Sequence, residues 1–322
     1  MKRSLWLMLL MTTLAGCSSA PESTISRSDL KTYYDYQLFD AQGTPLDQEQ
    51  WPLQVANYDV ILVGEWHTHA GIHRFQTDLL RQLLTSAQPL ALSMEQFNRD
   101  SQSHLDDYLS GQIGEQILTQ RAKAWPNYDS DYRPLIELAK ASHTPVIAAN
   151  APKDIVQCIG REGIGYLDRL PQSEREYVAR QVDTSDSEYK RTFMGSMHHG
   201  ESDSTERHFA AQVTWDETMA ESITDYIADH PGAKVLHIAG KFHVQQGEGI
   251  KASILRRNPA LKVLTITPVD EIDSNGTDYQ LQVLAPPALY VQEANRKQAF
   301  EQLSHRNAEL NCIENPAATQ PK

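Results

Sequence analysis

Two Gly-x-x-His motifs, Gly64-Glu65-Trp66-His67 and Gly240-Lys241-Phe242-His243, place an imidazole three residues beyond a glycine, where the backbone can turn sharply. With Glu65, His73 and Glu95, the two histidines form an imidazole and carboxylate set suited to zinc, iron or another divalent transition metal. A metal held by Glu65, His67, His73, Glu95 and His243 would acidify bound water, and Glu65, His67 and His243 would direct that water at an ester or amide. Other histidines have ordinary alternatives. His69 reads as a surface-loop residue, and His237, inside Val235-Leu236-His237-Ile238, reads as a core histidine. His198 and His199 are either solvated loop or ligand contacts.

A different chemistry is available in Trp125-Pro126-Asn127-Tyr128-Asp129-Ser130-Asp131-Tyr132-Arg133-Pro134. A Tyr phenolate ligates ferric haem and an Arg pairs with a propionate, so Tyr128, Tyr132 and Arg133 are candidate haem contacts beside His67, His198, His199 and His243. The alternative is that both tyrosines pack a helix start. No Gly-x-Ser-x-Gly, Gly-x-Gly-x-x-Gly, P-loop or His-Glu-x-x-His motif competes.

The elements that must position these groups follow from apolar patterning. Val60 to Val63, Leu90 to Leu92, Val146 to Ala148, Val235 to Ile238 and Val263 to Ile266 are short apolar runs, as expected of strands buried on both faces of a parallel sheet. Asp278 to Leu284 alternates like a further strand. Ile72, Phe75, Leu79, Leu80, Leu83 and Leu84 share one helical face, and a second amphipathic helix follows Pro134. The expected fold is α/β: a mostly parallel sheet flanked by helices, with a helical insertion over about 152–232 forming a lid subdomain. Glu65 to His69, Glu95, Asn150 and Gly240 to His243 then follow four different strands and converge at the carboxyl edge of the sheet, where ligands of such sheets bind. In the last insertion helix Phe209, Val213, Ala220, Ile223 and Ile227 form a stripe that includes Asp216, a carboxylate either paired there or turned to water.

The ends of the chain carry an address. Lys2 and Arg3 precede a short apolar run, and Leu14-Ala15-Gly16-Cys17 closes it as a lipobox, with Cys17 as the acylated residue. Residues 1–16 read as a signal peptide, 17–29 as a lipidated tether, 30–311 as one domain and 312–322 as a flexible tail. The expected location is the periplasmic face of an outer membrane, attached by lipid. Cys158 and Cys312 either pair or stay free and buried. All 322 residues carry a formal charge of -13; loss of Lys2 and Arg3 gives -13 - 2 = -15, which opposes nucleic-acid binding.

Taken in order, Gly64-Glu65-x-His67 with His73 and Gln76, Met94-Glu95, Tyr132-x-Pro134, Ala149-Asn150-Ala151-Pro152, Ala211-Gln212-x-x-x-Asp216-x-x-Met219-Ala220 and Gly240-x-Phe242-His243 make the chain resemble the ChaN family of haem-binding lipoproteins. The likeness spans Val60 to Thr267. It implies haem as ligand, a role in iron uptake, and a homodimer enclosing two stacked haems with Tyr or His near the irons. The wider superfamily includes Tiki-type metalloproteases and erythromycin esterase-like enzymes, so a metal-dependent hydrolase is the alternative it implies.

Overall fold

A computed structural model describes residues 30–196, 202–304 and 310–314. Eight strands form one sheet: β1 (Tyr36–Phe39), β2 (Pro45–Leu46), β3 (Val60–Glu65), β4 (Leu90–Asn98), β5 (Val146–Asn150), β6 (Lys234–Gly240), β7 (Val263–Val269) and β8 (Tyr279–Val283). Their order is β2-β1-β8-β7-β3-β6-β4-β5. The six from β8 to β5 run parallel, while β1 is antiparallel to both β8 and β2. The apolar runs form the central strands for the expected reason: every residue of β3 and β6 is buried, so neither face tolerates polar alternation. The β1–β2 hairpin was not expected, because it lacks an apolar run that would mark it in the sequence.

Helices before β5 are α1 (Trp51–Val55), α2 (Ala70–Leu83), α3 (Gln102–Leu109), α4 (Glu115–Arg121) and α5 (Arg133–Ala141). On this face Ile72, Phe75, Leu79 and Leu80 of α2, with Leu135 and Ile136 of α5, cover Ile61, Val63, Leu92, Leu236 and Ile238. Between β5 and β6 the described residues form α6 (Lys153–Glu162), α7 (Gln172–Arg175), α8 (Glu188–Ser196) and α9 (Ser202–Asp229), with no strand. The helices α10 (Lys241–Val244), α11 (Ile250–Arg257) and α12 (Glu293–Ser304) complete the chain.

The 28-residue α9, about 42 Å long, is the last helix of the expected insertion. Its Met219, Ala220 and Ile223 pack on Val60, Leu62, Val235 and Ala239 with Ile250 and Ile254 of α11, so α9 is a layer of the second face. That placement explains Asp216: the helix must turn its apolar stripe to the sheet, and the carboxylate goes with it, 1% exposed.

The expected tail is tied down at its start. Cys312 forms a disulfide with Cys158 of α6 across 154 residues, and Arg161 and Arg169 donate hydrogen bonds to the carbonyls of Leu310 and Ile313. Residues 1–29, including the lipobox with Cys17, and His198 and His199 lie outside the described residues. No described helix is long and apolar enough to cross a membrane. Because the cross-link restricts the unfolded chain, Cys158→Ser should lower stability by about 2–4 kcal/mol, and reductant should do the same to the wild type alone. Equilibrium urea unfolding with and without dithiothreitol checks both outcomes.

Candidate active or haem-binding site

The parallel register sets the ends of three strands side by side. Glu65 at the end of β3 lies opposite Gly240 at the end of β6. In β4 the pairing with β5 shifts between Met94 and Asn98, an irregularity that re-aims the residues within it. Glu95 and Gln96 therefore serve opposite faces: Gln96 donates to Glu65 Oε1 at 3.0 Å, and Glu95 Oε2 accepts the Gly240 N–H at 2.6 Å.

Glu65, 1% exposed, is the centre of the first cluster. Oε1 accepts from His67 Nδ1 at 2.9 Å, Tyr132 Oη at 2.7 Å and Gln96, and Oε2 accepts from Gln76 Nε2 at 2.7 Å. Burial works to raise this carboxyl, but the bonds from His67, Tyr132 and Gln76 and the nearby His73 hold it below the usual carboxylate range. His67 is thereby fixed with Nδ1 on the carboxylate and Nε2 free. Burial opposes its charge, yet the bond to Glu65 and the charge of Glu95 raise the imidazole above its ordinary value. The side chain remains 46% exposed. Its carbonyl accepts from Asn127 Nδ2 at 2.7 Å, which braces the loop from below.

The second cluster is buried. His243 Nδ1 donates to Asp216 Oδ1 at 2.6 Å, and the other oxygen of Asp216 accepts from Tyr189 Oη of α8 at 2.7 Å. Gln212 Nε2 donates to the same hydroxyl at 3.1 Å. His243 Nε2 faces Glu95 Oε1 at 3.7 Å. Burial would lower this imidazole, but Asp216 and Glu95 together lift it to about 9. The two clusters meet at Gly240. A Cβ there would sit 2.8 Å from His67 Cε1 and 3.0 Å from Nε2, so the His67 ring rests where a side chain would be. Each imidazole thus has a carboxylate on Nδ1; His67 keeps its Nε2 unclaimed, whereas the Nε2 of His243 is turned to Glu95, an arrangement that orients both rings.

Several sequence candidates have other duties. Both ring nitrogens of His73 are turned to acceptor oxygens, Gln76 Oε1 and the His67 carbonyl, so neither nitrogen faces open space. Both oxygens of Glu65 are taken. Among the described residues no group of three or more His, Cys, Asp or Glu is placed to hold a metal ion. Tyr132 is fully buried on Glu65, and Tyr128 is buried with its hydroxyl unpartnered. Burial first pushes both phenols far up, helped next by Glu65 at Tyr132 and by Tyr108 at Tyr128. Arg133 is closed off by Glu115 at 2.5 Å and Asp129 at 2.7 Å. His69, expected on the surface, is 5% exposed, with Nε2 against the Leu284 carbonyl at 2.9 Å. His237 is a core residue on Ser93 Oγ at 2.9 Å, and burial pushes its imidazole down to about 3.

Sequence reading missed Gln96 and Tyr189. Gln96 has a usable signal, since it adjoins Glu95 at a strand end. Tyr189, in a polar stretch far from any motif, has none.

Fold and site together define an α/β protein with two carboxylate-bound histidines on either side of Gly240 at the carboxyl edge of a parallel sheet. The sequence model for haem-binding uptake, Tiki superfamily, ChaN matches residues 52–254, and the chain belongs to that family. A solved structure of cofacial haem binding to ChaN of Campylobacter jejuni is similar with TM-score 0.62 at 20% identity, covering 80% of this chain and 100% of that one. An erythromycin esterase mutant in its open conformation gives TM-score 0.43 at 11% identity over 82% and 86% of the two chains. A toxin effector domain from Vibrio vulnificus gives 0.38 at 18% over 74% and 37%. No curated protein matches the chain.

Two outcomes follow from the packing. Gly240→Ala should cost about 1–3 kcal/mol by overpacking against His67. In a double-mutant cycle His67→Ala should remove most of that cost, whereas additive unfolding energies would contradict the contact. Because the folded value of His243, about 9, lies above its ordinary 6.5, its contribution to stability is complete below about pH 6.5 and lost as pH rises through about 9. Thermal unfolding across this window should show the decline, and His243→Asn should flatten it.

Proposed function

We propose that the chain is a haem-binding lipoprotein of iron uptake, attached by an acylated Cys17 to the periplasmic face of an outer membrane, in which two copies enclose stacked haems. Family membership supports the ligand class. The observation that carries it in this chain is His67: Nδ1 is held by Glu65, Nε2 is free, and the side chain is 46% exposed above the Gly240 cradle. The Trp125 ring stands edge-on to His67 at 5.0 Å and supplies apolar surface beside it. These residues fit haem. Haem, when bound, would supply a redox-active iron, and His67 is the residue here that would hold it. Glu65 orients the ring through Nδ1, and Tyr132, Gln76 and Gln96 donate hydrogen bonds to Glu65. An imidazole exposed on one side suits a planar ligand whose other face meets a second copy. The dipeptide Gly16-Cys17 within the lipobox supports the lipid anchor.

Hydrolysis of an ester or amide is the second reading, favoured by the buried Asp216–His243 pair, whose Nε2 faces Glu95 in the same cleft. Such a pair orients an imidazole for proton transfer, with Glu65 and His67 across the cleft.

Haemin titration of the purified apoprotein, followed by Soret absorbance, tests the first reading. The wild type should show a saturable shift, and His67→Ala should weaken it by about tenfold or more and alter the spectrum. Tyr128→Phe should leave the spectrum unchanged, because that hydroxyl is buried away from the cleft. The same His67→Ala and His243→Ala proteins, assayed on ester substrates, test the second reading; hydrolysis unaffected by either substitution would remove it.

A further inference from the structure

Haem carries two carboxylates, and a site built for it needs a cation close to the iron-binding imidazole. Arg133, the residue the sequence offered, is tied to Glu115 and Asp129. Arg74 of α2 is tied to Asp78, and Arg99, which follows β4, to Glu221. Each of these guanidiniums has its charge met within the protein.

Lys241 differs. It is the variable residue of the second Gly-x-x-His motif, and its Cα lies 3.2 Å from where a Cβ on Gly64 of the first motif would be, so it sits where the two loops touch. Its side chain is half-buried, and the carboxylates whose charges reach its ammonium are Asp270 and Asp278. Asp278, the buried carboxylate beyond it, is already satisfied by Thr265, Thr267 and the Gln246 N–H. What holds the ammonium is the face of Trp66, 5.5 Å from Nζ to the ring centroid. Trp66 is the residue immediately before His67. A cation on an aromatic face keeps its position while leaving its donors open to an anion.

We infer that Lys241, seated on Trp66 at the junction of the two Gly-x-x-His loops, is the anchor for a carboxylate of the bound ligand. This rests on the haem reading and assigns the propionate contact to Lys241 and not to Arg133. A charge-assisted bond from a half-buried ammonium is stronger than one at an exposed lysine. Lys241 is a binding residue only; the imidazoles keep their own partners when it changes.

The test compares haemin with haemin dimethyl ester, in which both carboxylates are masked, by Soret titration of the full chain. In the wild type haemin should bind more tightly than the ester. Lys241→Met should weaken haemin by about tenfold and leave the ester unchanged, and Lys241→Arg should recover most of the haemin affinity. Equal melting temperatures of wild type and Lys241→Met show that the fold is intact. The inference is overturned if Lys241→Met weakens haemin and ester by the same factor, or leaves haemin unaffected. A wild type with no saturable Soret shift for either compound defeats the haem reading itself, a distinct result.

Discussion

The buried carboxylate of Glu65 is the constraint on which the rest of the site depends. A charge at the end of a central strand, out of contact with water, is tolerated only when donors surround it. Those donors come from four places: His67 in the loop after β3, Gln76 on α2, Gln96 on β4 and Tyr132 at the start of α5. The ion therefore fixes the relative position of two strands and two helices. It also spends most of its hydrogen-bonding capacity on the protein, so that one group, His67, remains to face the cleft. A site residue and a structural keystone are here the same side chain.

The opposite face repeats the device with different parts. Asp216 enters on the apolar stripe of α9, and its two oxygens are claimed by His243 and Tyr189. Glu95 bridges the two halves through the Gly240 N–H and its approach to His243. Gly240 is required by the closeness of the His67 ring and not by backbone conformation, since its φ of -54 is open to any residue. The sheet therefore does more than carry loops: the registers of β3, β6 and β4 determine which imidazole meets which carboxylate.

Much of this was legible in the residues. Five parallel strands were readable because burial on both faces demands continuous apolar runs, and their glycine-bounded ends located the cleft. The set Glu65, His67, Glu95 and His243 was recognisable because the two Gly-x-x-His motifs and Glu95 each follow an apolar run that reads as a strand. The β1–β2 hairpin was not, since four residues and a two-residue partner leave no periodic signature. For Tyr128 and Tyr132 the residues left helix-start packing and ligand contact both open, because composition cannot tell a phenol that supports a carboxylate from one that meets a metal. Only burial separates the two roles.

The sequence by itself determined the α/β class, the carboxyl-edge location of the site and the residue types gathered there, because hydrophobic period and strand-end glycines are local properties of the chain. Tertiary structure alone decided the assignments: His73 as a brace, Tyr132 as a donor to Glu65, Asp216 as the partner of His243, and the pairing of Cys158 with Cys312. The reason is physical. Which donor satisfies a buried charge depends on distances between segments far apart in sequence, and those distances exist only after the sheet and both helical layers have packed.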